Sequence, residues 1–447
     1  MEITKTEPTW EEILGSNQWK GLLDPLDLNL RQLILRCGDF CQGTYDAFDN
    51  DQNSKYCGSS RYGKKSFFQK VALQDASNYF VDTFLYATAR MDLPGDFIVH
   101  SNSDEPWDRE SNWMGYIAVT SDAVSEALGR REIYIPWRGT LRTLEWINVF
   151  NPQLVSAETL LKISEQQPQD RSFGMLTPFG NFLNWWGGVA KFWIGNIAGL
   201  IRHIPIIGSS SDSDDDNTTM KVMKGWLTIY TSENEDSRFT KLSARTQLLT
   251  KLKELVEKYK DEKPSIIFAG HSLGASLSVL SAFDVAENVT STVPVTAIIF
   301  GSPEVGNKAF NDKLDAYPNL NILHVKNVID LIPHYPSRLL KYEKTGIELD
   351  IDTRKSPSLK DSKNPSDWHN LQAILHVVAG WNGNEGDFEL RVKRSIALVN
   401  KSSDYLKEEI LVPASWWVEK NKGMVLGDDG EWVMAAPIDE DLPVPEF

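Results

Sequence analysis

Apolar and polar positions alternate along the middle of the chain in blocks of two kinds. The stretches 113–120 (WMGYIAVT) and 131–137 (REIYIPW) are short, apolar and rich in β-branched residues, as strands are. From Arg238 to Lys260 the pattern turns helical, with Leu248, Leu252, Leu255, Val256 and Tyr259 on one face at spacings of three and four. The run SIIFAG (265–270) predicts a strand, 275–287 a helix, 295–301 a strand, 308–316 a helix and 321–328 a strand. That order at that pitch implies right-handed βαβ units, hence an α/β fold on a mostly parallel sheet with helices on both faces. Near-continuous apolar strands fit a sheet covered on both sides. No internal repeat and no linker divides the 447 residues into two cores.

One junction carries chemistry. Strand 265–269 runs directly into Gly270-His271-Ser272-Leu273-Gly274, and a helical pattern begins at once. A Gly-x-Ser-x-Gly string alone is weak, and a glycine turn with an idle serine is the plain alternative. At a strand end opening a helix it instead predicts a nucleophile elbow. There Ser272 is held in a strained conformation, and side chains at 270 and 274 would collide with their neighbours. The helix N-terminus also favours negative charge at the reacting centre.

A serine hydroxyl needs a histidine to take its proton and a carboxylate to orient that histidine, in the chain order Ser, Asp or Glu, His. Beyond the elbow lie His324, His334, His369 and His376. His324 falls inside a strand pattern, and His334 follows Asp330 by only four residues. His376 sits within an apolar helix, as a packed histidine would. His369, after a Pro- and Ser-rich loop at the mouth of that helix, is the predicted base. Asp330, closing the apolar strand of ILHVKNVIDLIP, is the predicted carboxylate, ahead of Asp312 and Asp315 on a helix and Asp350 and Asp352 on a later strand or turn. Two oxyanion donors are expected at the Leu273 amide and at Thr140, where a strand breaks at Arg138-Gly139-Thr140.

Charge and cysteines narrow the setting. Lys plus Arg number 46 against 62 Asp plus Glu, a formal net charge of −16 that repels phosphate backbones, so nucleic acid is not an expected partner. Cys37, Cys41 and Cys57 make neither a disulfide framework nor a zinc set and read as packing thiols. The acidic start MEITKTEPTWEEILG lacks an apolar leader pattern, and a cytosolic location is expected. The acidic run SSSDSDDDN (209–217) reads as a solvated loop.

WRGT, GHSLG, NVIDLIP and DWHN, in this order, resemble the class 3 lipases, and the flanks narrow the resemblance to plant phospholipases A1 of class II. WEEILGSNQWKGLLDPLDLNLRQLILRCGDFCQGTYDAF, SKYCGSSRY, FTKLSARTQ and LVPASWWVEKNKGMVLGDDGEW carry it across nearly the whole chain. The resemblance implies an α/β-hydrolase that cleaves the sn-1 acyl ester of glycerolipids in the cytosol with no metal or cofactor. Carried onto this sequence, its triad falls on Ser272, Asp330 and His369 and its oxyanion hole on Thr140 and Leu273. It implies one lipase domain over 1–447, with a helical N-terminal segment 1–75, a lid and insertion over 141–217, and a C-terminal extension 385–447. Two other outcomes stay open: an acyltransferase using the same acyl-enzyme, and a non-catalytic lipase-like signalling protein.

The stretch from about 164 to 217 is longer and more apolar than the family leads one to expect. Packing as helices over the core is one expectation for it. The other is an enlarged lid beside 141–150, with Leu144, Trp146, Trp185, Trp186 and Trp193 walling an acyl channel and touching a bilayer transiently. Lys191 near the middle of its longest apolar window argues against a membrane span.

Overall fold

A computed structural model describes residues 7–88, 111–140, 152–161 and 218–417, and the backbone of 424–426 and 432–434. The described residues, Thr218 apart, belong to one compact unit formed by 1–162 and 219–447. In chain order the first nine strands are β1 (Tyr79–Thr88), β2 (Ser111–Thr120), β3 (Arg131–Trp137), β4 (Leu154–Ser156), β5 (Lys221–Met223), β6 (Pro264–His271), β7 (Val295–Phe300), β8 (Leu320–Asn327) and β9 (Ile347–Ile351); Met424–Leu426 and Trp432–Met434 form a separate antiparallel pair. Seven form one sheet in the order β1-β2-β3-β6-β7-β8-β9. The pairs β3/β6, β6/β7, β7/β8 and β8/β9 are parallel, while β1/β2 and β2/β3 are antiparallel. The short β4 and β5 pair with each other.

Both faces of the sheet are covered. Within β6, Ile267 and Ala269 join the core packed under the Leu28–Asp46 and Leu371–Gly380 helices. Ile266 and Phe268 join the core under the Lys224–Thr231, Ala244–Lys258 and Leu273–Asn288 helices. Side chains alternate faces along a strand, so a strand buried on both sides is apolar on both, which is why IIFA (266–269) is unbroken.

The helices that position the site are capped by their sequences. Asp27 accepts the Asn29 and Leu30 amides at the head of the Leu28–Asp46 helix. That helix buries Leu30, Leu33, Ile34, Cys37, Phe40 and Cys41 on one stripe and ends beside the sheet with Tyr45. Asn370 caps Leu371–Gly380 through the Gln372 and Ala373 amides. Arg31 donates to the carbonyls of Val378 and Trp381 at the end of that helix, where the Trp381 amide also reaches the Val378 carbonyl.

Three sequence expectations shift. The helix read from Arg238 begins at Ala244, where Ser243 caps it through the Thr246 amide. Strand β1 and the Lys224–Thr231 helix had no assignment. Strand β8 ends at Asn327, three residues before Asp330, so the carboxylate stands in the following turn rather than on the strand.

Candidate active site

Strand β6 stops at His271 and the next helix starts at Leu273, which leaves Ser272 alone to turn the chain. It does so at φ 59° and ψ −127°, a sparsely populated region for a side-chain-bearing residue, at a cost of about 1–3 kcal/mol. The Ser272 amide is held by the Phe300 carbonyl at 3.0 Å. The flanking glycines are required by contact. A Cβ on Gly270 would lie 2.1 Å from the Gly274 carbonyl oxygen, and one on Gly274 would lie 2.3 Å from that of Trp137. Among the described residues the buried Ser272 Oγ has no hydrogen-bond partner.

His369 follows the short Pro365–Trp368 helix and precedes the Asn370 cap, so two helix boundaries fix its backbone. Its Nδ1 lies 2.5 Å from Asp330 Oδ2, and Asp330 Oδ1 accepts the Ile332 amide at 3.0 Å. A carboxylate at Nδ1 assigns the ring proton to that nitrogen and leaves Nε2 as the acceptor. Nε2 is buried with no partner among the described residues. Asn327, ending β8, donates to the Trp368 carbonyl at 2.8 Å and to Thr353 Oγ1 at 2.9 Å, tying the carboxylate's strand to the base's loop. Gly301, at φ 52°, leaves room for the pair: its Cβ would meet His369 Cε1 at 2.8 Å and Asp330 Oδ2 at 3.1 Å. Since Gly301 follows Phe300, which holds the Ser272 amide, serine and histidine lean on adjacent residues of one strand end.

The exit of β3 abuts the elbow from the other side, with Trp137 paired to Gly270. A Cβ on Gly139 would lie 2.5 Å from the His271 carbonyl oxygen. Thr140 is buried, and its Oγ1 has no partner among the described residues. Leu273 opens its helix, so its amide has no partner four residues back. Arg138 fixes this exit from within. It is fully buried, lies 3.7 Å over the Phe48 ring, and donates to the carbonyls of Trp113 and Gly139 and to Met114 Sδ, each at 3.1 Å. Burial lowers its pKa to about 10.

The other histidines lie elsewhere. His376 is buried in the Leu371–Gly380 helix with Nε2 at 2.8 Å from Ser356 Oγ and its ring against Phe388, and burial lowers its pKa to about 4. His324 Nε2 accepts the Ser302 amide at 2.9 Å, and burial brings its pKa to about 3. His334 is in the turn after Asp330, its pKa lowered by partial burial. Asp312 and Asp315 are on the Lys308–Asp315 helix, and Asp350 is on β9 with Asp352 just past it. Leu144, Trp146, Trp185, Trp186 and Trp193, with the 141–217 lid and insertion, lie outside the described residues except at 152–161. Sequence reasoning had not singled out Gly301, Asn327 or Arg138 as site residues. A glycine directly after the IIF strand end was a readable sign of close approach for Gly301.

A strained serine at the turn from a parallel strand into a helix, with a buried His–Asp pair beside the next strand end, defines an α/β-hydrolase. Residues 134–340 match the family Lipase (class 3). The chain is 59% identical over 447 residues to Phospholipase A1-IIdelta of Arabidopsis thaliana, covering 100% of both chains. It is 47% identical over 442 residues to Phospholipase A1-II 5 of Oryza sativa subsp. japonica, covering 98% of this chain and 84% of that one. Among solved structures it is similar to the Lip2 lipase from Yarrowia lipolytica, with a TM-score of 0.41 and 16% identity over 74% of this chain and 81% of that one. The chain belongs to the plant class II phospholipase A1 family, within the class 3 lipases.

Proposed function

We propose that the protein hydrolyses the sn-1 acyl ester of glycerolipids through an acyl-enzyme on Ser272, with His369 as general base and acid and Asp330 as its orienting partner. His369 Nε2 takes the proton as Ser272 Oγ attacks the acyl carbonyl. The Leu273 amide and Thr140 receive the charge that develops on the carbonyl oxygen. As the intermediate collapses, His369 returns the proton to the departing glycerol oxygen, and water repeats the sequence on the acyl-enzyme. The observation that carries this reading is that Ser272 Oγ, His369 Nε2 and Thr140 Oγ1 are all buried with no partner among the described residues. Each such atom costs about 1–3 kcal/mol, which a fold tolerates where a substrate completes the bonding.

The test uses phosphatidylcholine carrying different acyl chains at its two positions. Release of the sn-1 chain with the 2-acyl lyso-product is expected. Release of the sn-2 chain instead would overturn the positional reading, and undiminished hydrolysis by Ser272→Ala would overturn the mechanism.

The same reading includes transient contact with a bilayer surface. Val328 and Leu331, flanking Asp330 in sequence, are 41% and 38% exposed, and the segment 177–207 is rich in tryptophan and other apolar residues. Replacing 177–207 with a short Gly/Ser linker should lower activity on vesicles far more than on a short soluble ester. Equal loss on both by the folded protein would reject the contact. A cytosolic location, in keeping with three buried unpaired thiols, is tested by cell fractionation, and recovery in the secreted fraction would contradict it.

A further inference from the structure

The histidine inside the elbow motif is used by no step above, yet it is among the most constrained side chains in the molecule. His271 Nε2 lies 2.9 Å from the backbone carbonyl of His369, and its Nδ1 lies 2.8 Å from Tyr45 Oη. The Tyr45 hydroxyl also packs against the backbone of Gly139, in the loop that carries Thr140. The Tyr45 and His271 rings meet nearly edge to face, their centroids 5.9 Å apart. A Cβ on Gly139 would fall 2.0 Å from Tyr45 Oη, so the hydroxyl sits where only glycine leaves room.

Every direction in this chain is forced. A carbonyl can only accept, so His271 Nε2 carries the proton. Nδ1 of the neutral ring then accepts, so the Tyr45 hydroxyl donates to it. The Tyr45 oxygen itself is held against the Gly139 backbone.

We propose that Tyr45 and His271 are positioning residues that set the distances among the nucleophile, the base and the oxyanion loop, hydrogen-bonding the elbow to the His369 backbone while the Tyr45 hydroxyl packs against Gly139. The three joined segments come from separate parts of the fold: the exit of β3, the end of β6 and the loop between two C-terminal helices. The strap across them comes from the last turn of the Leu28–Asp46 helix. His271 is bonded to Ser272 through the backbone, so a fixed His271 Nε2 to His369 carbonyl contact fixes where the base stands relative to the nucleophile. Displacements of about 1 Å at a reacting centre cost on the order of 100-fold in rate.

Neutrality of His271 has a further consequence. Its ring centroid lies 4.4 Å from that of His369, which becomes an imidazolium during the reaction. A charged His271 would oppose that step. Burial and the neighbouring His369 lower the His271 pKa well below the usual histidine value, which keeps it uncharged. The groups around it are Tyr45, whose own pKa burial raises, His369 with Asp330 behind it, and Arg138 and Cys41, which act on Tyr45.

The inference rests on the acyl-enzyme reading, and the test separates the two. Full-length Tyr45→Phe, His271→Gln and His271→Leu are compared with the wild type for kcat, KM and thermal midpoint, with active-site titration by a fluorophosphonate giving the competent fraction. Tyr45→Phe keeps the ring and should lower kcat roughly tenfold with KM unchanged. His271→Leu should lower it roughly 100-fold. His271→Gln keeps an N–H where Nε2 stood and should recover most of that loss. Folded variants with wild-type kcat per titrated site, losses confined to KM, or His271→Gln as slow as His271→Leu would each overturn the proposal. If His271→Leu fails to fold, Tyr45→Phe and His271→Gln decide alone, expected to lose kcat modestly and overturning the proposal if they do not. An active Ser272→Ala would instead overturn the underlying reading, whatever these variants do.

Discussion

The two ends of the Leu273–Asn288 helix treat polar groups in opposite ways. At its start, Ser272 is strained and its hydroxyl is buried without a partner among the described residues. At its end, Asp284 is equally buried but fully engaged. It takes the Tyr230 hydroxyl at 2.9 Å, Arg245 through two nitrogens at 2.7 and 2.9 Å, and Asn288 at 2.7 Å. Most buried polar groups are satisfied within a fold; among the described residues unmet capacity also occurs at Ser265 and Ser276, but at Ser272 it coincides with a strained backbone and a neighbouring His–Asp pair. Burial and polarity alone therefore do not mark a site, since Asp284 has both.

Substitution at each end of this helix should produce the largest effects. Ser272→Ala should lower turnover by several orders of magnitude, on the order of 10⁶, with the thermal midpoint unchanged or slightly raised. His369→Ala should match it, because triad members act as a unit. Asp284→Ala should do the reverse, leaving the largely buried Arg245 without its partner at a cost of about 3 kcal/mol, with kcat per titrated site nearly retained. Denaturant melts and active-site titration on the same samples check this. A stable Asp284→Ala protein with lost catalysis would erase the distinction.

A smaller effect is expected from Gly301→Ala. The new methyl would meet His369 Cε1 at 2.8 Å at a backbone angle of φ 52°, so both the imidazole and the strand end must shift. The expected loss is about 100-fold in kcat with KM little changed. Wild-type kcat in this variant would show that Gly301 does not set the position of the pair.

The smallest effect concerns pH. His376 and His324 are buried neutral, with pKa values lowered to about 4 and about 3 from an ordinary value near 6.5. The unfolded chain therefore binds more protons than the folded one as pH falls below about 6.5. Their contribution to stability is full above that pH and is lost progressively toward pH 4 and below. The thermal midpoint should fall between pH 7 and pH 4, and His376→Gln should make that fall shallower. An equally steep fall in the variant would remove His376 from the account.

The elbow was legible in the sequence because its physics is local. A both-faces-buried strand must be apolar, the turn needs glycines at 270 and 274, and both constraints fall within ten residues. Asp330 and His369 were reached by elimination, the carboxylate because it closes an apolar strand run and the histidine because it follows a loop at a helix mouth. What the sequence concealed is non-local. Tyr45 reaches His271 from 226 residues away, and nothing in its helix distinguishes a site tyrosine from a core one. Asn327 reads as the polar end of a strand until Trp368 is placed against it. Strand β1 was missed because its apolar residues alternate irregularly across two register shifts against β2.

The central claim is that Ser272, and no other residue, receives the acyl group. The direct measurement is to quench the enzyme during turnover of a phospholipid with one isotopically labelled sn-1 chain and to map the labelled peptide by mass spectrometry. The account predicts a single acyl adduct on Ser272, in the peptide containing GHSLG, and no adduct in Ser272→Ala. An adduct on another residue, or a Ser272→Ala protein that still releases the labelled chain at the wild-type rate, would contradict it.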